Sequence, residues 1–275
     1  MHSLLATLTQ LSGTPHIRTG MDAAPYLTDW RKRYHGQALC VIFPADTNEV
    51  AAVVCACAAA GVPVVPQGGN TGLVGGATPS ANGHSVVINT QRLNRIRQID
   101  VANQTMTVEA GCILHNVQQA AADAGCLFPL RMASEGSCTI GGNLASNAGG
   151  TQVLRYGNAR ELCLGIEAVT PQGDIWHGLH GLRKNNTGYD LRHLLIGSEG
   201  TLGIITAATL KLFPQPGAQM AAWAAVPSPD AAVALLELAR QQLDAGLTGF
   251  ELMNHTALHM VQRHFPQQRV PFIGA

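Results

Sequence analysis

The twelve residues PQGGNTGLVGGA (66–77) hold five glycines and no charge, and they follow the short apolar run VPVV (62–65). Backbone freedom of this kind, placed directly after a strand, serves either a tight connection or a surface for a ligand. Glycine admits positive φ and lets a bound group approach the main chain closely. Successive turns with free N–H groups form a concavity suited to anions, phosphate above all. Asn70 and Thr71 add side-chain donors to that offer.

The residues before the loop place it in a strand–helix–strand unit. ALCVIF (38–43) suits a buried strand, and Asp46 stands three residues before Glu49, close to a capping box. An alanine-rich helix then runs to Ala60, where Gly61 and Pro63 stop it, and SVVIN (85–89) supplies the next strand. The glycine loop therefore follows the second strand. A dinucleotide fingerprint needs GxGxxG at the first strand–helix turn; Asn70 and Thr71 break that spacing, and a strand follows the loop. The sequence has no Gly-Lys pair for a P-loop and no GxSxG elbow for a serine hydrolase.

Further on, residues 97–101 and 105–110 flank the turn Ala102-Asn103-Gln104 as a hairpin, and a helix over 113–124 stops at Gly125. A second glycine-rich segment, GSCTIGGNLASNAGG (136–150), offers Ser137, Thr139, Asn143, Ser146 and Asn147 as donors. A hairpin over 165–170 and 174–176 and a strong strand, GIITAATLKLF (203–213), come next. PQPG (214–217) marks a domain boundary. Beyond it the pattern predicts a strand over 220–226, a helix over 230–245 and a strand over 248–252, ending in PFIGA without a closed second domain. Two separate neutral, donor-rich loops suit a long ligand that carries a pyrophosphate and an extended ring.

Composition narrows the function. Seventeen basic residues balance seventeen acidic ones and no basic patch can be read, so no nucleic-acid partner is expected. The seven cysteines form no CxxC pair and several lie in apolar runs, which points to buried free thiols in a reducing compartment. MHSLLATLTQLSG at the start lacks a secretory pattern, and the uncharged run 50–65 is too short and too interrupted to be a transmembrane segment. The expected location is cytoplasmic.

PQGGNTGLVGG, GSCTIGGNLASNAGG, LRKNNTGYDL and IGSEGTLGIIT occur in that order. Together they resemble the flavoprotein dehydrogenases of D-2-hydroxy acids, which carry the PCMH-type FAD-binding domain shared with vanillyl-alcohol oxidase. The subgroup most resembled is D-2-hydroxyglutarate dehydrogenase, with D-lactate and glycolate dehydrogenases as relatives. The likeness is dense over residues 26–214. It implies an α+β, two-subdomain PCMH-type FAD-binding fold followed by the beginning of an α+β cap domain. Residues 1–35 are then an N-terminal helix and extended linker, 36–213 the FAD-binding domain, and 214–275 an incomplete substrate domain.

By the same resemblance Gln67, Gly68, Gly69, Asn70, Thr71 and Gly72 wrap the pyrophosphate of FAD. Gly136, Ser137, Thr139, Ile140, Gly142, Asn143, Ser146 and Asn147 run along the flavin and ribityl side. Gly200, Gly203, Ile204 and Ile205 approach from the last strand, and Ile140, Ile204 and Ile205 could pack flat against the ring. Some members of the wider superfamily attach FAD through a histidine after paired glycines; Asn70 stands there, so non-covalent FAD is expected. The implied partners are a small 2-hydroxy acid and an electron acceptor, either a quinone or an electron-transfer protein. The resemblance places the catalytic residues and a histidine-rich metal site in the C-terminal half, so no catalytic residue and no metal ligand is assigned here. The alternative is a flavin-binding module without turnover, either a truncated product or a subunit needing a separate C-terminal half; a homo-oligomer or a complementing subunit is the assembly considered.

Four further features stay open between a site and ordinary structure, the last of them inside the second glycine segment. His255 and His259 stand at i, i+4 on a helix with His264 nearby, without a convincing third ligand. The run Arg183-Lys184-Asn185-Asn186-Thr187 could meet an anionic substrate or lie in a solvated loop. Glu199 reads as structural, accepting local N–H groups, and Cys138 reads as packing.

Overall fold

The computed structural model describes residues 2–269. In chain order its elements are α1 (His2–Ser12), β1 (Ile17–Arg18), β2 (Cys40–Ile42), α2 (Thr47–Ala59), β3 (Val64–Gln67), β4 (Val86–Asn89), β5 (Ile96–Asp100), β6 (Thr105–Glu109), α3 (Leu114–Asp123) and β7 (Cys126–Leu127). There follow α4 (Ile140–Ala145), α5 (Val153–Tyr156), β8 (Cys163–Val169), β9 (Ile175–Gly178), α6 (Arg192–Leu195), β10 (Ile204–Lys211), β11 (Phe213–Pro214), α7 (Pro229–Leu243) and α8 (His255–His264).

The first sheet has the order β1-β2-β4-β3, with β2, β4 and β3 parallel and β1 antiparallel at the edge. The strands β2 and β4 are buried along their whole length, as parallel strands covered on both faces must be. Val50, Val53 and Cys57 of α2 and Leu4 and Leu8 of α1 pack with Cys40, Ile42, Val86 and Ile88 on one side; Ala23, Val41, Phe43 and Val87 close the other. Asp46 caps α2, its carboxylate accepting from Glu49 N at 2.9 Å, while Glu49 Oε2 accepts from Ala45 N at 2.8 Å.

The second sheet is antiparallel, order β5-β6-β10-β8-β9, with both expected hairpins in place. Met106, Val108, Ile166, Ala208 and Leu210 join Leu114 and Val117 of α3 and Ile140 and Leu144 of α4 in the larger core. Between the sheets lies a polar joint. Glu167 accepts from Thr47 Oγ1 at 2.6 Å, from Arg97 Nη2 at 3.0 Å and from Thr206 Oγ1 at 3.2 Å, and Glu109 accepts from Arg95 and Arg97. Thr47 opens α2, so this network ties the first layer to the second.

Three expectations are corrected. Residues 220–226 and 248–252 form no strand; both stretches are irregular, the first exposed up to Ala225, with Met220 98% and Trp223 56% exposed, and the second mixing exposed and half-buried residues. Strand formation depends on a neighbour to pair with, and no described segment provides one. A helix, α4, stands inside the second glycine segment, where none was read. Helix α7 does form, capped by Ser228, whose hydroxyl accepts from Ala231 N. The closing residues PFIGA (271–275) lie outside the described residues.

Candidate functional site

The first glycine loop leaves the carboxyl end of β3. One buried side chain ties its base: Gln67 Nε2 donates to Ala77 O at 2.9 Å and Tyr26 O at 2.8 Å, and its Oε1 accepts from Asn89 Nδ2 at 3.0 Å. Gln67 is thereby spent on holding the loop. Asn70 takes φ 50, a left-handed geometry that asparagine tolerates, and its amide donates to Thr28 O at 2.8 Å. Among the described residues, the N–H groups of Gly69, Asn70, Thr71 and Gly72 meet no protein acceptor.

The second segment packs directly on the first. A Cβ on Gly68 would lie 2.3 Å from Thr139 Oγ1, and one on Gly69 would lie 2.0 Å from Ser137 O. These two glycines are therefore required by contact between the loops themselves. A Cβ on Gly72 meets nothing within 4 Å, so no protein neighbour demands glycine there. Thr139 caps α4, and the turn before β10 closes the third side: Glu199 N donates to Ala145 O at 2.8 Å. Glu199 itself has φ 52 and is exposed; its carboxylate accepts none of the local N–H groups expected of it among the described residues.

The three stretches enclose a cleft of about 450 Å³. It is lined by Gln67, Gly68, Gly69, Asn70, Thr71, Gly72, Thr139, Gly142, Asn143, Ser146, Gly200, Gly203, Ile204 and Ile205 among the expected residues. A second cleft of about 760 Å³ adjoins it, sharing Gln67, Gly68, Gly69, Asn70 and Thr139, and adds Ser137 with Tyr26, Trp30, Ile113 and Asn116. Three expected residues line neither cleft. Gly136 has open space around it. Ile140 is 1% exposed, its side chain in the larger core. Asn147 Oδ1 accepts from Arg160 N at 3.0 Å and shapes a turn. Ile204 and Ile205 are also core residues, one in each hydrophobic cluster, so little of either is free to lie on a ring. The apolar surface at the cleft comes instead from Leu73 and Val74, 45% and 69% exposed. An exposed Leu-Val pair inside a glycine loop was the legible signal for that role.

The donors fit a diphosphate. Besides the free loop N–H groups, Asn143 is buried, lines the smaller cleft, and has its Nδ2 without any partner. A buried amide donor left unsatisfied costs about 1–3 kcal/mol, and a ligand oxygen in the cleft would recover that cost. Burial pushes the Cys138 thiol above its ordinary value, and its Sγ lies 3.7 Å from Met132 Sδ, in keeping with packing.

Residues 38–178, more than half of the chain, match the family of the FAD binding domain. The chain belongs to that family. It is similar to D-2-hydroxyglutarate dehydrogenase of Xanthomonas citri pv. viticola, 43% identical over 246 residues covering 90% of this chain and 51% of the relative. It is also similar to a putative mitochondrial D-lactate dehydrogenase of Schizosaccharomyces pombe, 38% identical over 248 residues, 90% of this chain and 47% of that one. Among solved structures, alkyldihydroxyacetonephosphate synthase superposes with a TM-score of 0.71 at 24% identity, covering 79% of this chain and 41% of that one. The fold is thus the two-subdomain FAD-binding fold of PCMH type, and FAD is its cofactor. The chain spans about half the length of the curated relatives it matches.

Proposed function

We infer that this chain is the cofactor-holding part of a D-2-hydroxy-acid dehydrogenase, oxidising a substrate of the D-2-hydroxyglutarate or D-lactate type to the 2-oxo acid. The observation that carries this reading is the likeness over nine-tenths of the chain to relatives bearing those two names. FAD, when bound, supplies the acceptor for the hydride leaving the substrate's Cα. The loop N–H groups of Gly69 to Gly72 and the Asn143 amide would hold its phosphates. Leu73 and Val74 would exclude water from one wall, and the Gln67 clamp would keep the loop closed. Asn70 is committed to Thr28 O, which agrees with a cofactor held without a covalent bond.

Residues 214–275 would begin the substrate domain. The exposed apolar side chains among the described residues 214–269 favour a second reading, in which the chain binds FAD but turns nothing over until further polypeptide covers them. Six of the seven free cysteines are buried, and burial pushes the Cys40 and Cys163 thiols up to about 12. That suits a reducing compartment, either cytoplasm or mitochondrial matrix. No described helix is long and apolar enough to cross a membrane. A quinone or an electron-transfer protein would take the electrons.

The visible spectrum of the purified chain, repeated anaerobically with D-2-hydroxyglutarate and with D-lactate, tests both readings. Flavin bands bleached by one acid support the dehydrogenase and name its substrate. Bands that persist support the holding module, and release of all flavin on acid precipitation supports the non-covalent state. A chain that takes up no FAD sinks the proposal.

A further inference from the structure

A third cleft, about 220 Å³, lies at the far end of the second sheet from the glycine loops. Strand β10 runs from Ile204 at the cofactor cleft to Lys211 at this one, about 24 Å away at ~3.4 Å per residue. Lys211, Arg183, Arg192 and His180 line it, and Asp190 is its one carboxylate. Asp190 is already engaged, by Arg192 in an ion pair and by His193 Nε2 at 3.3 Å. Each nitrogen of the Arg192 guanidinium already donates once, to Asp190 or to Cys163 O.

The remaining donors are not. Lys211 is partly buried, and among the described residues its ammonium has neither an ion pair nor a hydrogen bond. Arg183 spends only Nη2, on Asn103 O at 3.0 Å and Gln104 O at 3.3 Å. The buried Nδ1 of His180 has no partner. Taking an ammonium out of water without a counter-ion is costly, and the unpaired Lys211 ammonium, the free N–H groups of Arg183 and the unpartnered His180 Nδ1 around one small cavity all suit the same partner. We propose that this cleft binds a small oxyanion, a phosphate or a carboxylate, at a site separate from the cofactor cleft. Lys211 supplies the point charge, Arg183 the planar fork and His180 Nδ1–H a neutral donor. Burial first, and then the Arg192 and Arg183 charges, hold the Lys211 amine below its ordinary value; a bound anion would relieve the repulsion between these cations. Cys163 and Glu161 act on Lys211 in the opposite sense, by smaller amounts.

The test is thermal unfolding of the FAD-saturated chain, titrated with inorganic phosphate or with succinate at constant ionic strength set by chloride. FAD occupies the other anion-binding surface, so a shift reports this cleft. The midpoint is expected to rise with phosphate, with succinate or with both, and the anion that acts tells phosphate from carboxylate as the source. Lys211→Gln should need about tenfold more anion for the same rise. Arg183→Gln, at an exposed side chain, provides the second variant should the first fail to fold. General exclusion of phosphate from protein surfaces would raise wild type and both variants alike; that result, or no rise with either anion, overturns the proposal.

Discussion

At the scale of single residues, the glycines of the first loop divide into two kinds, and substitution separates them. Gly69→Ala places a methyl 2.0 Å from the Ser137 carbonyl, a backbone atom that cannot swing aside. The loops would have to part, at about 1–3 kcal/mol of overpacking, and both chemical stability and FAD affinity should fall. Gly72→Ala meets open space. Its unfolding midpoint in urea, measured without FAD, should stay within about 0.5 kcal/mol of the parent, while FAD affinity falls about tenfold because the methyl occupies the ligand's side. Equal affinity in the Gly72 variant and the parent would remove Gly72 from the cofactor surface. Sequence alone could not make this division, since whether a Cβ meets protein or open space depends on which loop lies opposite. The direction of an apolar side chain was hidden for a related reason: Ile204 and Ile205 line the cleft while packing into one core each, and Ile140 turns wholly into the larger core.

At the scale of elements, strands and helices that carry their own signals were readable. Asp46 before α2 and Gly125 after α3 mark ends that the chain itself specifies, and the three-residue turns Ala102-Asn103-Gln104 and Pro171-Gln172-Gly173 mark two hairpins of the second sheet. Helix α4 was concealed because Gly141 and Gly142 are poor helix formers, although Thr139 before the spaced pair Ile140 and Leu144 was a start signal. The joint between α2 and the second sheet was silent in sequence, its members Thr47, Arg97, Glu167 and Thr206 being far apart along the chain. Burial alone would push the Glu167 carboxyl up, but Arg97, Thr47 and Thr206 outweigh it and hold the group below its ordinary value. A carboxyl depressed in the folded state stabilises above its unfolded pKa of about 4.3 and loses that contribution as pH falls through the folded value. Glu167→Gln should therefore cost about 1.5–3 kcal/mol near neutral pH, and urea unfolding of the two proteins should converge as pH drops below about 4.3. A gap that stays constant down to acid would mean that the ionised carboxylate contributes nothing at the joint.

At the scale of the whole molecule, the two sheets and their helices close on themselves, whereas the segment after β11 does not. Met220, Trp223, Leu252, Met253 and Phe265 are all exposed, and so are Val233, Leu238 and Leu243 of α7. A soluble monomer seldom leaves contiguous apolar patches beyond a few hundred Å² without a partner for them. The two stretches that were expected as strands, 220–226 and 248–252, sit in this same region, and they lack the neighbour that would turn apolar, β-favouring sequence into a sheet. Cooperative stability should accordingly reside in the FAD-binding part. The chain should bind an apolar fluorescent dye under native conditions, and proteolysis should cut first between residues 215 and 269, leaving a core that retains FAD. Removal of residues 218–275 should abolish most of the dye signal while leaving the affinity for FAD within about twofold, since none of the described residues 218–269 lines either cofactor cleft. If truncation instead releases FAD, the segment after β11 supports the cofactor site from a distance, and the division of labour between the two parts would have to be redrawn.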